Sequence, residues 1–420
     1  MSSSVFKSSV LREAADRGFI HQSTDIKQLD GCLAEGPIAL YLGCDATAES
    51  LHIGHLIPIM LLRLFQKHGH RPIALVGGGT SKIGDPSFRN TVRPMLSEEE
   101  LSRNIQGIRL SYAPYIRFGA QSNDGKLVDN AEWLDQLEYI PFLREVGRHF
   151  PMGRLLSLDT VKQKLENNLP FSFLEFNYPL LQAYDFLELL QRENCILQIG
   201  GSDQWGNIVS GVEFVRRMTQ KEVFALTTPL LTTASGAKMG KTAQGAVWLR
   251  RDFYTPFDFW QYWRNVDDRD VGKLLRLFTE LSLEEITRLE SIEDINIAKI
   301  TLADHATSLT HGKDVLADIH QAIETLRQRG KSASDAKHTP TLAIRAEAWL
   351  GQKTIVDLLV EAQVCPSRGK ARRLIRGDGV CLNGVGIKDE LLVLDSSHFF
   401  DERAQLTVGK KRLICVQLQL

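Results

Sequence analysis

Residues 38–67 read IALYLGCDATAESLHIGHLIPIMLLRLFQK, and this stretch decides the fold. Ile38 to Leu42 is an unbroken apolar run of strand length. A polar loop follows, and Gly54 to Lys67 has the composition of a buried helix. The pattern recurs. Pro72 to Val76 reads as a second strand ending in glycines, and Cys195 to Ile199 runs into Gly200-Gly201 with a helix starting near Trp205. Apolar strands separated by glycine loops and helices predict an α/β fold, a parallel sheet covered by helices on both faces. Ligands of such sheets bind beyond the carboxyl ends of the strands.

Outward from this stretch, 420 residues suggest two or three domains at about 150 residues each. The chain is 43% hydrophobic and 24% charged, which excludes intrinsic disorder. Fifty basic residues against fifty-one acidic give a net charge of −1. A uniformly basic nucleic-acid coat is excluded, a local basic patch is not. The six cysteines, at 32, 44, 195, 365, 381 and 415, form no C-x-x-C pair, so isolated thiols in a reducing compartment are expected. The first twenty residues lack a secretory apolar core, and the run Leu56 to Leu62 stops at Arg63, too short for a bilayer. The expectation is a cytoplasmic protein without a membrane partner. Residues 248–329 carry helical patterns, 330–350 read as a linker rich in small polar residues, and 351–420 start another unit.

Two motifs carry chemistry. Leu51-His52-Ile53-Gly54-His55 falls between a strand and a helix. A helix N-terminus offers unbonded N–H groups and partial positive charge, which suits a phosphate. Gly54 admits close backbone approach, and both imidazoles can donate hydrogen bonds. The same pattern would serve as a helix cap or as half of a metal site, but no further His/Cys cluster completes a metal set. The second motif, Lys238-Met239-Gly240-Lys241-Thr242, follows a polar loop. Two lysines three apart fold around a polyphosphate, or simply face solvent.

His52 to His55 matches the HIGH signature of the class I aminoacyl-tRNA synthetases, and Lys238 to Thr242 resembles their KMSKS loop with Gly240 and Thr242 in place of two serines. The segments 41–48 (YLGCDATA), 84–87 (GDPS), 181–185 (LQAYD) and 200–207 (GGSDQWGN) narrow the resemblance to bacterial-type tyrosyl-tRNA synthetases, from about residue 5 to the C-terminus. The resemblance implies a Rossmann-like catalytic domain over 1–232, the lysine loop over 233–247, a helical tRNA-binding domain over 248–329, and a small α+β S4-like RNA-binding domain over 351–420. It implies ATP as substrate with Mg²⁺ accompanying it, no protein-held metal, L-tyrosine and tRNA(Tyr) as partners, and a homodimer.

Residue roles follow from the same resemblance. Tyr178, Gln182 and Asp185, spaced four and three apart, share a helix face. Tyr178 and Gln182 would bind the substrate's ammonium with Asp85 as countercharge, and Asp185 and Tyr41 its phenol. Gln204 would meet the carboxylate. Gly43, Asp45, Gly54, Gly201, Asp203, Lys241 and Thr242 would meet ATP. Thr47, His52, His55, Lys238 and Lys241 would surround the phosphates, joined by Arg89 and Arg93 from the loop after Asp85. Asn130 and Gln198 are family-like too, but Asn130 reads equally well as a cap for the segment holding Trp133. In the tail, Arg368, Lys370, Arg372, Arg373 and Arg376 sit in a run without acids. A basic helix face suits an RNA backbone.

Overall fold

The computed structural model describes residues 6–87, 96–236, 239–242, 245–329, 341–383, 385–395, 398–399, 403–409 and 412–419. It divides into two compact units, Met1–Lys313 and Asp314–Leu420.

The first unit is built on a six-stranded sheet of β1 (Gln22–Ser23), β2 (Ala39–Asp45), β3 (Arg71–Gly77), β4 (Lys126–Asp129), β5 (Cys195–Gly201) and β6 (Phe224–Thr228). Their spatial order is β1-β6-β5-β2-β3-β4. Every pair is parallel except the β1–β6 edge. From β2 the chain moves outward through β3 to β4, then returns to the other side of β2 with β5. The strand order therefore reverses beside β2, the place where open α/β sheets bind ligands.

The apolar runs become strands because both sheet faces are covered. Leu40, Tyr41, Ile73, Leu75, Leu197 and Ile199 are all buried, as continuous apolar strands require. The expected helix after β2 is Leu56–Lys67, preceded by a tighter turn at Ile53–His55. The tight turn arises because the His52 and His55 rings take up backbone N–H groups that a helix start leaves unbonded. Pro58 lies in the first turn, where a missing N–H costs nothing.

The aromatic segment after 248 forms helices Pro256–Arg264, Val271–Phe278, Leu283–Ser291 and Ile295–His311. They belong to the first unit. Arg17, buried in the N-terminal helix, donates to the carbonyls of Arg276, Thr279 and Leu281. Helix Val315–Arg329, expected to close the same domain, falls in the second unit.

The second unit holds a five-stranded sheet. Strand Arg403–Val408 pairs antiparallel with Val380–Leu382 and with Arg412–Gln419, and Thr341–Arg345 runs parallel to the last. Residues 341–350 were expected in a linker. Thr341–Arg345 is instead an edge strand whose alternation buries Ile344, and Trp349 in the short helix behind it joins the core. The small polar residues before 341 outweighed this short alternation in the sequence. Helices Ile355–Glu361 and Arg368–Arg376 cover the sheet through Ile355, Leu358, Leu359, Ala371 and Ile375. Among the described residues, no helix is long and apolar enough to cross a membrane.

Candidate active site

A cavity of about 720 Å³ opens at the carboxyl ends of β2 and β5. Its walls include Tyr41, Gly43, Asp45, Thr47, His52, Gly54 and His55 from the β2 side, and Gly201, Asp203 and Gln204 from the β5 side. Asp85 and helix Tyr178–Glu193, through Tyr178, Gln182 and Asp185, complete it. Fourteen expected site residues scattered between positions 41 and 204 thus share one cavity.

At the inner end sits Asp185, almost wholly buried. One carboxyl oxygen accepts from Trp133 Nε1 at 2.8 Å and the other from Asn130 Nδ2 at 2.9 Å. Burial pushes its pKa up to about 8; the two donors oppose that rise, and the charges of Asp45 and Glu188 add to it. Asn130 does not cap the following helix, the alternative its position suggested. Its amide is spent inside the site: Nδ2 also donates to Thr80 Oγ1 at 3.0 Å, and Oδ1 accepts from the Gly79 N–H at 2.8 Å.

Asp45 stands at the end of β2. Its Oδ1 accepts from Tyr178 at 3.0 Å and from Thr80 at 2.8 Å. These two bonds hold that oxygen toward the Tyr178 end of the cavity. Because the Tyr178 proton is committed to Asp45, the phenol oxygen presents lone pairs. Asp85 accepts from Gln204 Nε2 at 2.8 Å and from the Ser87 N–H at 2.9 Å.

Among the described residues, Tyr41 Oη, Gln182 Oε1 and Gln198 Oε1, buried atoms that line this cavity, lack a hydrogen-bond partner. Leaving such groups unmade costs about 1–3 kcal/mol each. Buried orphans are rare in native proteins, and when they converge on one cavity they mark a polar ligand. Two are carbonyl acceptors and one is a hydroxyl, so the ligand must bring both hydrogen-bond donors and a hydroxyl-compatible group.

The outer end is built on the histidine turn. Gly54 N–H donates to His52 Nδ1 at 3.0 Å, which places that ring's proton on Nε2. His55 Nδ1 lies 3.3 Å from the His52 backbone, and the two rings are 4.1 Å apart between centroids. Burial and the neighbouring His52 pull the His55 pKa down to about 3, so the ring is neutral at pH 7. A side-chain carbon at Gly54 would sit 2.7 Å from the His52 ring, and one at Gly201 would collide with Asp203. Residues 247–249 run antiparallel to this turn: Ile53 N–H donates to Val247 O at 3.0 Å and Leu249 N–H to Leu51 O at 2.8 Å. They bring Met239 and Gly240 of the lysine motif to the cavity wall. Gly240 has φ +109°, and a Cβ there would lie 3.4 Å from Gly54 N.

Arg89, Arg93 and Lys238 lie outside the described residues. Lys241 and Thr242 are described as backbone, a short strand paired with Gly245–Ala246. Among the described residues no group of three or more His, Cys, Asp or Glu side chains clusters as a metal site. The five basic tail residues lie on helix Arg368–Arg376 of the second unit, all exposed. Arg368 pairs with Asp357, and Arg376 with Glu390, which Arg372 also approaches at 3.8 Å.

The sequence passed over Trp133 and Thr80 as site residues and left Asn130 between a family-like site residue and a cap. The available signal was position: Thr80 follows the end of β3 and Asn130 the end of β4, the same carboxyl edge.

The family model for class I tRNA synthetases (W and Y) matches residues 33–328, and one for the SYY-like C-terminal domain of tyrosine–tRNA ligase matches 333–416. The tyrosine–tRNA ligase of Xanthobacter autotrophicus is 49% identical over 420 residues, 99% of this chain and 100% of its own. That of Novosphingobium aromaticivorans is 50% identical over 412 residues, covering 97% and 98%. Among solved structures, a C-terminally truncated Aspergillus nidulans mitochondrial tyrosyl-tRNA synthetase superposes with a TM-score of 0.69 at 30% identity, covering 76% of this chain and 94% of that one.

Proposed function

We infer the reaction of this cavity from the chain's kinship: it belongs to the class I tRNA synthetases (W and Y). Its activity is that of a tyrosine–tRNA ligase, with ATP as the second substrate. The observation that carries the choice of amino acid is the buried, unpartnered Tyr41 hydroxyl in the same cavity as the anchored Asp185. A phenol can donate to Asp185 and accept from Tyr41 at once; an indole brings only a donor and a plain phenyl ring neither, so each leaves the Tyr41 hydroxyl unmatched.

Tyrosine enters with its ring between β2 and helix Tyr178–Glu193. The Tyr178 oxygen and Gln182 Oε1, both acceptors, suit its ammonium, and Asp85 adds countercharge. The substrate itself supplies the nucleophile. A carboxylate oxygen of tyrosine attacks the α-phosphorus of ATP, the bond from that phosphorus to the β-bridging oxygen breaks, and pyrophosphate leaves with the electron pair. Catalysis is then positioning plus stabilisation of charge on phosphate oxygens. His52, His55 and Thr47 donate from one side, and His55 does so as a neutral imidazole. Asp203 holds the ribose, with Gly43, Gly54 and Gly201 admitting the nucleotide. Lys238 and Lys241, with Arg89 and Arg93, close over the pyrophosphate. Mg²⁺ travels with the triphosphate and neutralises its charge. In the second step the terminal ribose hydroxyl of tRNA(Tyr) attacks the tyrosyl carbonyl and AMP departs. The basic helix Arg368–Arg376 supports a role for the tail in holding that RNA.

A cytoplasmic homodimer belongs to the same reading. Exposed apolar side chains concentrate in one stretch, with Tyr139, Ile140, Met152, Phe173 and Leu174 open to solvent. Such concentration marks an interaction surface.

The test is ATP–pyrophosphate exchange by the full chain with each of the twenty amino acids. Tyrosine alone supports exchange. A response to tryptophan without tyrosine overturns the reading.

A further inference from the structure

Gly107 lies inside helix Glu98–Tyr112, where glycine costs about 1 kcal/mol against alanine. Its φ is not in the left-handed region, so conformational freedom is not the reason for it. The reason is contact. A Cβ at 107 would overlap the carbonyl oxygen of Glu49 and lie 2.8 Å from its Cα. The helix therefore meets the loop after β2 backbone against backbone.

The contact is flanked on both sides. One turn earlier, buried Asn104 donates Nδ2 to the Ala46 carbonyl at 2.9 Å. One turn later, Ser111 Oγ accepts from the Leu51 N–H at 3.1 Å and donates to Gly107 O at 3.0 Å. Positions 104, 107 and 111 fall on one helix face. They grip the loop at residues 46, 49 and 51, and Thr47 stands exposed between the grips at the rim of the cavity. The loop's other flank is tied by Ser81 Oγ, which accepts the Ala46 N–H at 2.6 Å. The same helix lends Ile108 to the cavity wall.

We propose that Asn104, Gly107 and Ser111 are positioning residues for the triphosphate, setting the height at which Thr47 and the His52 turn meet its oxygens. The inference rests on the reading of the cavity given above. Misplacing a reacting group by about 1 Å can cost roughly a hundredfold in rate. None of the three residues lines the tyrosine end, so their loss must separate the substrates.

The test compares Gly107→Ala and Asn104→Ala with the wild-type full chain in two measurements: equilibrium tyrosine binding, and single-turnover adenylate formation against ATP concentration. Tyrosine affinity stays within about twofold, while adenylate formation slows roughly 10–100-fold for Gly107→Ala and about 5–10-fold for Asn104→Ala. In a Thr47→Ala background the Asn104→Ala penalty disappears, because both act through one group. If Gly107→Ala does not fold, Asn104→Ala and its double mutant carry the test. Equal losses in tyrosine affinity and rate, an unchanged rate, or full additivity with Thr47→Ala overturns the proposal. A wild-type chain that forms no tyrosyl-adenylate overturns the underlying reading as well.

Discussion

Trp133 donates its indole N–H to Asp185 across 2.8 Å inside the protein, so the carboxyl at the base of the cavity reaches the substrate with its orientation already fixed. Trp133→Phe keeps the ring and removes the donor. Leaving a buried acceptor without its donor costs about 1–3 kcal/mol. Tyrosine binding should weaken roughly 10–100-fold, with ATP binding unaffected. Calorimetric titration of each ligand checks this, and an unchanged tyrosine affinity would remove Trp133 from the specificity apparatus.

Tyr41→Phe carries two effects of opposite sign. In the free protein it deletes a buried hydroxyl that lacks a partner, which should stabilise the fold by about 1 kcal/mol. In the complex it deletes a partner of the substrate phenol, so tyrosine affinity should fall about tenfold and discrimination against phenylalanine should narrow. Thermal melts without ligand and exchange assays with both amino acids read the two arms separately.

Asp185 gives a pH dependence. Its folded pKa is raised from the ordinary aspartate value to about 8, mainly by burial. Between about pH 4 and pH 8 the folded site holds a proton that the unfolded chain has released. The stability this group contributes is therefore full below the unfolded pKa and declines as pH rises toward 8. Tyrosine binding moves the other way. The carboxylate accepts a phenol's hydrogen bond more strongly than the neutral acid does, so affinity should strengthen from pH 6 to pH 8, by at most about tenfold per unit. Asp185→Asn should flatten that profile as well as weaken binding.

The tail helix divides its cations. Arg368, Arg372 and Arg376 face the carboxylates of Asp357 and Glu390, whereas Lys370 and Arg373 form no ion pair among the described residues. Lys370→Ala and Arg373→Ala should each weaken tRNA binding and lower the slope of log affinity against log salt by roughly 0.7–0.9. Arg376→Ala should do less at equal salt, because its charge is already compensated. Filter binding over a salt series distinguishes the two sets.

Much of the site was legible because its chemistry is written in short contiguous runs. Strands 39–45, 71–77 and 195–201 are centred on largely apolar runs, as a sheet covered on both faces requires. The histidine turn combines residue types that suit one position, the start of a helix after a strand. What stayed hidden depends on partners distant in sequence. Asn130 looks like a cap until Asp185, fifty-five residues later, accepts a hydrogen bond from its amide. Thr80 is an ordinary loop residue until Asp45 and Asn130 close around it. Strand Thr341–Arg345 was obscured because an edge strand of five residues buries few side chains, and only its pairing with residues 415–419 makes it a strand.

The sheet order has one more consequence. Tyr41 and Asp45 on β2 share the cavity with Gln198 and Gly201 on β5, so neighbouring strands separated by some 150 residues of chain together line one slot. A nascent chain emerging from the ribosome would carry the histidine turn long before β5 is made. Amino-acid recognition must switch on late and abruptly during synthesis, and truncated products ending before β5 should neither sequester tyrosine nor consume nucleotide.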